Sequence, residues 1–252
     1  MKTEENVFIH DDGIRLSAVL EKPETADRGR MAILLHGFTS AKDRPHTILA
    51  AEAMRETGLA TLRADLYGHG ESDGEFRNHT LHKWISNTLA LIDFVRDLGY
   101  TEVYLSGHSQ GGLVAALAAG METDRIRGLI LRAPAFMIPQ CARDGSMLGQ
   151  TFDPNCIPDE VQVIKGLTLG GNYIRVAQTL YAEETAARYT GPVLILHGDE
   201  DDTVPLADSR RMAERYADCS LAVMAGETHH FDRHPEQMRR IIREWLETRA
   251  AG

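Results

Sequence analysis

Short apolar runs alternate along the chain with longer stretches in which apolar residues recur every three or four positions. Continuous apolar runs of this kind are typical of strands that are buried on both faces of a sheet. Such strands are predicted at residues 31–35, 60–64, 103–105, 129–131, 193–196 and 221–224. Helices are predicted between them at residues 45–57, 80–98, 112–119, 210–216 and 236–248. Because strands and helices alternate, the predicted fold class is α/β, with a mostly parallel central sheet and helices on both faces.

Two segments depart from this alternation. Near the N-terminus, β-prone residues 7–10 and 14–20 flank Asp11-Asp12-Gly13, and an Asp-Gly turn between such runs predicts an antiparallel hairpin. Between Pro134 and Pro192 the chain is far longer than one connecting helix requires, and it carries weak β signals and turn residues. A structureless loop of that length is unusual in a compact domain. Residues 134–191 are therefore predicted to form a small cap, inserted into a core of residues 1–133 and 192–252.

The composition narrows the classes of function. A chain of 252 residues with 43% hydrophobic residues can bury one sizeable core. Its formal net charge of −10, with no run rich in lysine and arginine, argues against a nucleic-acid partner. No apolar segment approaches the roughly 18 residues of a membrane span, and the acidic N-terminus lacks a signal-peptide pattern. We therefore expect neither a nucleic-acid nor a membrane partner.

The cysteines point to a reducing compartment. Cys141, Cys156 and Cys219 are few, odd in number and without metal-ligand spacing. They are expected to be free thiols, which indicates a cytoplasmic location. The oligomeric state is left open by the sequence, with a homodimer as one option.

The strongest chemical signal is Gly107-His108-Ser109-Gln110-Gly111, which follows a predicted strand and precedes an alanine-rich helix. Gly-x-Ser-x-Gly in a strand–turn–helix context predicts a nucleophile elbow, in which a strained backbone lifts the serine hydroxyl above the sheet edge. The flanking glycines are required because a Cβ there would collide with the neighbouring strand and helix. The helix N-terminus would face the negative charge that develops during acyl transfer. Ser109 is the predicted nucleophile.

A serine nucleophile needs a base and a group that orients the base, and in an elbow fold the acid and then the histidine follow the serine. Four acidic residues, 199–202, follow the strand at 193–196. Asp201 is the predicted acid because it lies three residues after Gly198 and three before Val204, and Asp202 is the alternative.

His229 is the predicted base because it lies three residues after Gly226, with His230 as the alternative. His230 and His234 also have the spacing of a metal-binding pair on a helix. Pro235 disfavours a helix through them and no third ligand is evident, so no metal site is predicted.

The oxyanion hole needs two backbone N–H groups about 3 Å from the developing charge. Gln110, directly after the nucleophile, is the first predicted donor. Phe38, in His36-Gly37-Phe38 after the strand at 31–35, is the second. His108 lies inside the elbow and is expected to pack or to form a hydrogen bond.

As a set, these residues resemble the α/β-hydrolase superfamily, and the resemblance extends from residue 36 to residue 229. The matching motifs are His36-Gly37-Phe38, Asp65-x-x-Gly68-x-Gly70-x-Ser72, Gly107-His108-Ser109-Gln110-Gly111, Gly198-x-x-Asp201-x-x-Val204-Pro205 and Gly226-x-x-His229. The resemblance is specific for the fold and for a Ser-His-Asp triad, and much less so for the substrate.

Within the superfamily, the chain is similar to bacterial cinnamoyl or feruloyl esterases. Ile157-Pro158-Asp159 and residues 167–173 resemble the small cap of those enzymes. The resemblance implies hydrolysis of hydroxycinnamate esters, with the cap gripping the aromatic acyl group. The first half of the cap is more apolar than the family pattern, which favours a broader carboxylesterase as the alternative. The expected pocket residues are Phe136, Asp144, Leu148, Gln150, His108 and His230.

The predicted function is therefore a cofactor-free serine esterase that acts on a small-molecule ester through an acyl-enzyme. A peptidase or amidase of the same fold is a second hypothesis. A ligand receptor without turnover is a third, and the apparently intact triad argues against it.

Overall fold

The computed structural model describes residues 3–23 and 29–250, and its centre is one eight-stranded sheet. The strands of the described chain are β1 (Thr3–Asp11), β2 (Ile14–Lys22), β3 (Arg30–Leu35), β4 (Ala60–Ala64), β5 (Glu102–His108), β6 (Ile126–Arg132), β7 (Ser146–Met147), β8 (Gln150–Thr151), β9 (Glu160–Gln162), β10 (Thr168–Gly170), β11 (Val193–Gly198) and β12 (Cys219–Met224). The helices are α1 (Pro45–Glu56), α2 (Leu81–Asp97), α3 (Gln110–Met121), α4 (Ile138–Asp144), α5 (Asn172–Thr179), α6 (Ala182–Ala186), α7 (Leu206–Arg215) and α8 (Pro235–Ala250).

The central sheet has the strand order β1-β2-β4-β3-β5-β6-β11-β12. From β4 to β12 neighbouring strands are parallel, whereas β1 and β2 run antiparallel to each other and β2 runs antiparallel to β4. The Asp12-Gly13 turn of the β1–β2 hairpin has positive φ at both residues, as a tight hairpin turn of this twist requires. The predicted α/β class and N-terminal hairpin are confirmed.

Helices cover both faces of the sheet. One face packs against α1 and α8 through a cluster that includes Met54 and Ile242. The other face packs against α2, α3 and α7 through the larger cluster, which includes Leu91 and Met212. Because both faces are covered, the central strands β3, β4 and β5 are buried over almost their whole length, and residues 31–35 of β3 are all apolar, as their continuous apolar run predicts.

The carboxyl ends of the parallel strands meet along one edge of the sheet, which carries the predicted site residues. Residues 36–44 follow β3, Ser109 follows β5, residues 199–205 follow β11 and residues 225–234 follow β12. In open α/β sheets this edge is where ligands bind.

The segment between β6 and β11 is mostly short elements. It contains α4, α5 and α6, of 7, 8 and 5 residues, and the small hairpins β7–β8 and β9–β10. The sequence suggested weak strands and loops there, so the three helices differ from the expectation. Helices this short span about two turns, which leaves too little periodicity to detect and makes them dependent on tertiary packing.

Two smaller features complete the fold. Helix α3 begins at Gln110, two residues before the predicted start, because the helix follows directly after Ser109. No described helix is both long enough and apolar enough to cross a lipid bilayer.

Candidate active site

Ser109 lies between β5 and α3 in a strained backbone conformation, with φ 55° and ψ −122°. Non-glycine residues rarely adopt positive φ, and such strain clusters at functional sites. The turn can be this sharp because of two glycines. A Cβ at Gly107 would overlap the carbonyl of Gly111, and a Cβ at Gly111 would overlap the carbonyl of His36. The geometry is that of a nucleophile elbow, with the side chain partly exposed.

Asp201 and His229 form a close pair at the same sheet edge. His229 Nδ1 donates to Asp201 Oδ2 over 2.7 Å, which leaves Nε2 free to act as a base. Asp201 Oδ1 accepts the N–H groups of Thr203 and Val204 at 2.9 and 2.8 Å, so both carboxylate oxygens are occupied. In the described chain no hydrogen bond joins Ser109 to His229, and catalytic contacts of this kind often tighten only when substrate binds.

His197 is a third partner of Asp201. Its Nε2 lies 3.2 Å from Asp201 Oδ2 and donates to the Val204 carbonyl, while its Nδ1 accepts from the Ser209 hydroxyl. Burial alone would raise the pKa of Asp201, but the hydrogen bonds from His197 and His229 outweigh it and hold the pKa well below its usual range. Asp201 is therefore a carboxylate at neutral pH.

The two alternative residues lie elsewhere. Asp202 is exposed and accepts from the Thr203 hydroxyl. His230 is exposed, and its ring stacks edge-on against that of His229. Of these four residues, Asp201 and His229 are the pair that the structure joins by a buried hydrogen bond.

The two predicted oxyanion donors flank Ser109. Gln110 is the first residue of α3, where a backbone N–H has no acceptor within the helix. Phe38 follows Gly37, and a Cβ at Gly37 would lie only 3.1 Å from Ser109 Cβ, so this loop passes directly beside the nucleophile. Among the residues that the structure describes, neither backbone N–H donates a hydrogen bond.

Tyr173, at the start of α5, was not among the predicted site residues. Its hydroxyl donates to Gln110 Oε1 over 2.7 Å, and its ring lies against those of Phe38 and His79. Burial raises the pKa of Tyr173, so it remains a neutral donor. The inserted segment thus contacts both residues whose N–H groups flank the nucleophile. The pairing joins residues 63 positions apart, which no local pattern in the sequence could reveal.

Imidazole rings of other histidines lie close to the loop that carries His229, residues 225–234. His108 Nε2 donates to the His229 carbonyl over 2.8 Å, which ties the elbow to that loop. Ring nitrogens of His46, His108 and His230 come within 4.8 Å of one another. However, the fully buried Arg132 guanidinium donates to His46 Nδ1 at 3.1 Å and to the His46 carbonyl. Its positive charge opposes a metal cation at this position.

Of the six predicted pocket residues, four lie in the segment between β6 and β11 and two lie beside His229. Phe136 is buried and, with Met137, Cys141 and Arg143, lines a cavity of about 440 Å³ between α4 and α7. Leu148 is half-buried with φ 55°, whereas Asp144 and Gln150 are exposed. Asp144 accepts from the Gln140 amide within α4. His108 and His230 lie beside His229, as described above.

The chain is similar to known proteins over most of its length. A model of the serine aminopeptidase S33 family (Hydrolase_4) matches residues 27–160. Est1E from Butyrivibrio proteoclasticus, in a structure with ferulic acid bound, is 45% identical with a TM-score of 0.95, covering 98% of this chain and all of the other.

Two of the more distant relatives are hydrolases by name. Monoacylglycerol lipase of Mycolicibacterium smegmatis is 25% identical over 92% of each chain. Caffeoylshikimate esterase of Arabidopsis thaliana is 27% identical over 75% of this chain and 69% of its own.

The sheet topology, the elbow and these relatives define an α/β-hydrolase and, within it, a serine ester hydrolase. The chain belongs to the serine aminopeptidase S33 (Hydrolase_4) family and is close to feruloyl esterases.

Proposed function

We propose that the protein hydrolyses hydroxycinnamate esters through an acyl-enzyme formed on Ser109. The observation that carries the proposal is the 45% identity to Est1E, over the whole of a chain solved with ferulic acid bound. Ferulic acid is the acid that hydrolysis of a ferulate ester would release. A chain similar to Est1E over its full length is expected to retain the site that holds this acid.

In the proposed mechanism, Ser109 attacks the ester carbonyl while His229 Nε2 takes the hydroxyl proton. The carboxylate of Asp201 keeps His229 in the required tautomer and stabilises the imidazolium. The backbone N–H groups of Phe38 and Gln110 stabilise the oxyanion. His229 then protonates the leaving alcohol and activates a water molecule that releases the acid.

Residues 134–191 act in this proposal as a cap that selects the acyl group. It is supported by the contacts of Tyr173 with Gln110 and Phe38, whose backbone N–H groups are the proposed oxyanion donors. Phe136 and Leu148 would supply apolar walls, and Asp144 and Gln150 would supply polar contacts for the phenolic hydroxyl. A broad carboxylesterase is the alternative, and the relatives named as a lipase and as a caffeoylshikimate esterase favour testing it.

The test compares methyl ferulate with p-nitrophenyl butyrate, for the wild type and for Ser109→Ala. We expect kcat/KM to favour methyl ferulate and the variant to lose at least about 10³-fold on both esters. Hydrolysis of the p-nitrophenyl ester alone would replace the hydroxycinnamate assignment by a general carboxylesterase. Activity that survives in Ser109→Ala would reject the mechanism.

A peptidase is the second candidate because the matching family model is described as a serine aminopeptidase. Leucine p-nitroanilide in the same assay decides between them. Turnover of the anilide that matches turnover of methyl ferulate would favour the peptidase.

We further propose a cytoplasmic location, and a homodimer stays one option for the assembly. Cys141, Cys156 and Cys219 are free thiols, which suits a reducing compartment. Light scattering coupled to size-exclusion chromatography measures the assembly directly, and a mass of 28.0 kDa would contradict the dimer.

A further inference from the structure

The loop that carries Phe38, residues 36–42, has no regular secondary structure but is fastened on both sides of Phe38. Before Phe38, His36 Nε2 accepts the Leu66 N–H at 3.0 Å. After it, the Lys42 N–H donates to Asp65 Oδ1 at 2.7 Å. Asp65 and Leu66 are adjacent residues at the carboxyl end of β4, so a single dipeptide holds both ends of the loop.

The Lys42 side chain reinforces the second attachment. Its ammonium donates to Asp65 Oδ2 at 2.9 Å and to Glu71 Oε2 at 2.6 Å. The side chains of Lys42 and Asp65 are only 3% and 1% exposed. A buried ion pair adds little net stability because both charges lose their hydration. It does impose a defined geometry, since both charges must stay paired.

The Asp65 carboxylate has little freedom to move. Besides its bonds to Lys42, Oδ2 accepts the Glu71 N–H at 3.0 Å. Gly70, with φ +56°, leaves open the space that the carboxylate occupies, and a Cβ there would overlap it. The motif Asp65-x-x-Gly68-x-Gly70-x-Ser72 therefore builds the pocket in which the carboxylate is fixed.

The loop itself needs such support because it is strained. Thr39 has φ 53°, and a turn closed by the Ser40 N–H to the Gly37 carbonyl, at 3.2 Å, surrounds Phe38. A displacement of about 1 Å at an oxyanion donor can cost 10²-fold in rate. A fixed acceptor at the end of this turn would keep the Phe38 N–H in position.

We propose that Asp65, acting through Lys42, is a positioning residue that holds the Phe38 N–H beside Ser109. The inference rests on the proposed function, in which that N–H binds the oxyanion. Asp65 does not touch the substrate. Its effect should therefore appear in stabilisation of the tetrahedral transition state and not in binding of the ester.

The experiment measures kcat, KM and inhibition by a phenylboronic acid, which forms a tetrahedral adduct on the serine. In Asp65→Ala we expect kcat to fall about 100-fold and the boronate inhibition constant to rise in proportion, with KM changed less than about threefold. Asp65→Asn keeps an oxygen that accepts the Lys42 N–H but presents its NH2 to the Lys42 ammonium and the Glu71 N–H, so it should recover only part of kcat. A normal kcat in Asp65→Ala would overturn the proposal.

Two further variants separate positioning from stability. Val95→Ala opens a cavity in the core at α2 and should lower Tm with kcat unchanged. An equal loss of kcat in that variant would show that Asp65 matters only for folding. If Asp65→Ala does not fold, the double variant Asp65→Ala with Lys42→Met removes the unpaired buried charge. The proposal requires this double variant to fold with a kcat about 100-fold below that of the wild type.

The outcomes also separate this inference from the proposed function. An active Ser109→Ala rejects the mechanism, whatever Asp65 does. An inactive Ser109→Ala together with a normal Asp65→Ala leaves the mechanism standing and rejects only the positioning role.

Discussion

The carboxyl edge of the sheet and the inserted segment between β6 and β11 meet where Tyr173 bonds to Gln110, yet their construction differs. Along the edge, Thr39, Ser109, Ala133 and Phe231 all have positive φ although none is glycine. Each is strained, and each follows a strand of the sheet, whose packed core can impose that conformation. The inserted segment also contains such a residue, Leu148, but it consists of short helices and two- or three-residue strands with many exposed polar side chains.

This difference in construction matches two functional requirements, the positioning of catalytic groups and the selection of the acyl group. A nucleophile, a base and oxyanion donors must be held to a fraction of an ångström, which a rigid sheet edge with buried hydrogen bonds can do. Selection among acyl groups tolerates looser contacts and is easily changed by substitution in short elements. Substitutions at the edge should therefore reduce activity on all esters, whereas those in the insert should change the preference between esters.

The largest effect that tests this comparison is expected for Asp201→Asn. An amide at this position would present N–H groups to His229 Nδ1 and favour the wrong tautomer, so kcat should fall about 10²–10⁴-fold. The loss should be equal for methyl ferulate and p-nitrophenyl butyrate, since the acid touches neither acyl group. Steady-state kinetics on both esters measure it.

Asp202→Asn is the matched control for that substitution. It changes the neighbouring exposed carboxylate and should leave kcat within about twofold. A larger loss in Asp202→Asn than in Asp201→Asn would reverse the assignment of the acid.

A second prediction concerns the stability of the folded protein at acid pH, which depends on buried histidines near the sheet edge. A buried cluster of rings contains His36, His69, His79 and Trp84. Burial is the largest cause that lowers the pKa of these histidines. The pKa of His36 falls to about 4, and the pKa values of His69 and His79 fall to about 3. The unfolded chain takes up these protons near pH 6.5 and the folded chain does not. Stability is therefore full above about pH 6.5 and falls as the pH drops toward 4. His36 alone accounts for about 3 kcal/mol of that loss.

Urea unfolding between pH 7 and pH 4 measures this loss. His79→Phe, which cannot take up a proton, should make the dependence on pH shallower. Val95→Ala should lower stability equally at every pH, because it alters no titrating group. An unchanged slope in His79→Phe would mean that the cluster does not cause the acid sensitivity.

The sheet edge could be predicted from the sequence to a greater extent than the inserted segment. The central strands, the elbow and the spacing of Asp201 and His229 follow from local patterns, because buried strands are continuous apolar runs and each functional residue follows one. The sharp turn at Ser109 could be predicted because Gly107 and Gly111 leave room for it.

Contacts between distant segments could not be predicted. His197 precedes Asp201 by four residues within a strand end, where nothing marks it as a partner of the acid. Tyr173 with Gln110, and Lys42 with Asp65, join residues far apart in sequence, and only the folded chain brings them together. The helices α4, α5 and α6 were missed because tertiary packing, and not their own short periodicity, stabilises them.

The smallest effect is expected within the insert, at Asp144 and Gln150. Both side chains are exposed, so a hydrogen bond that either accepts from a phenolic hydroxyl would be worth about 1 kcal/mol, or about fivefold in kcat/KM. Asp144→Ala and Gln150→Ala should lose this factor on methyl ferulate and nothing on methyl cinnamate, which lacks the hydroxyl. Asn155→Ala, an exposed polar residue of the same segment, should lose it on neither ester. Equal losses on both esters would assign Asp144 and Gln150 to the folding of the insert. Selection of the acyl group by the insert would then depend on other residues, and the contrast with the rigid sheet edge would have to be tested there.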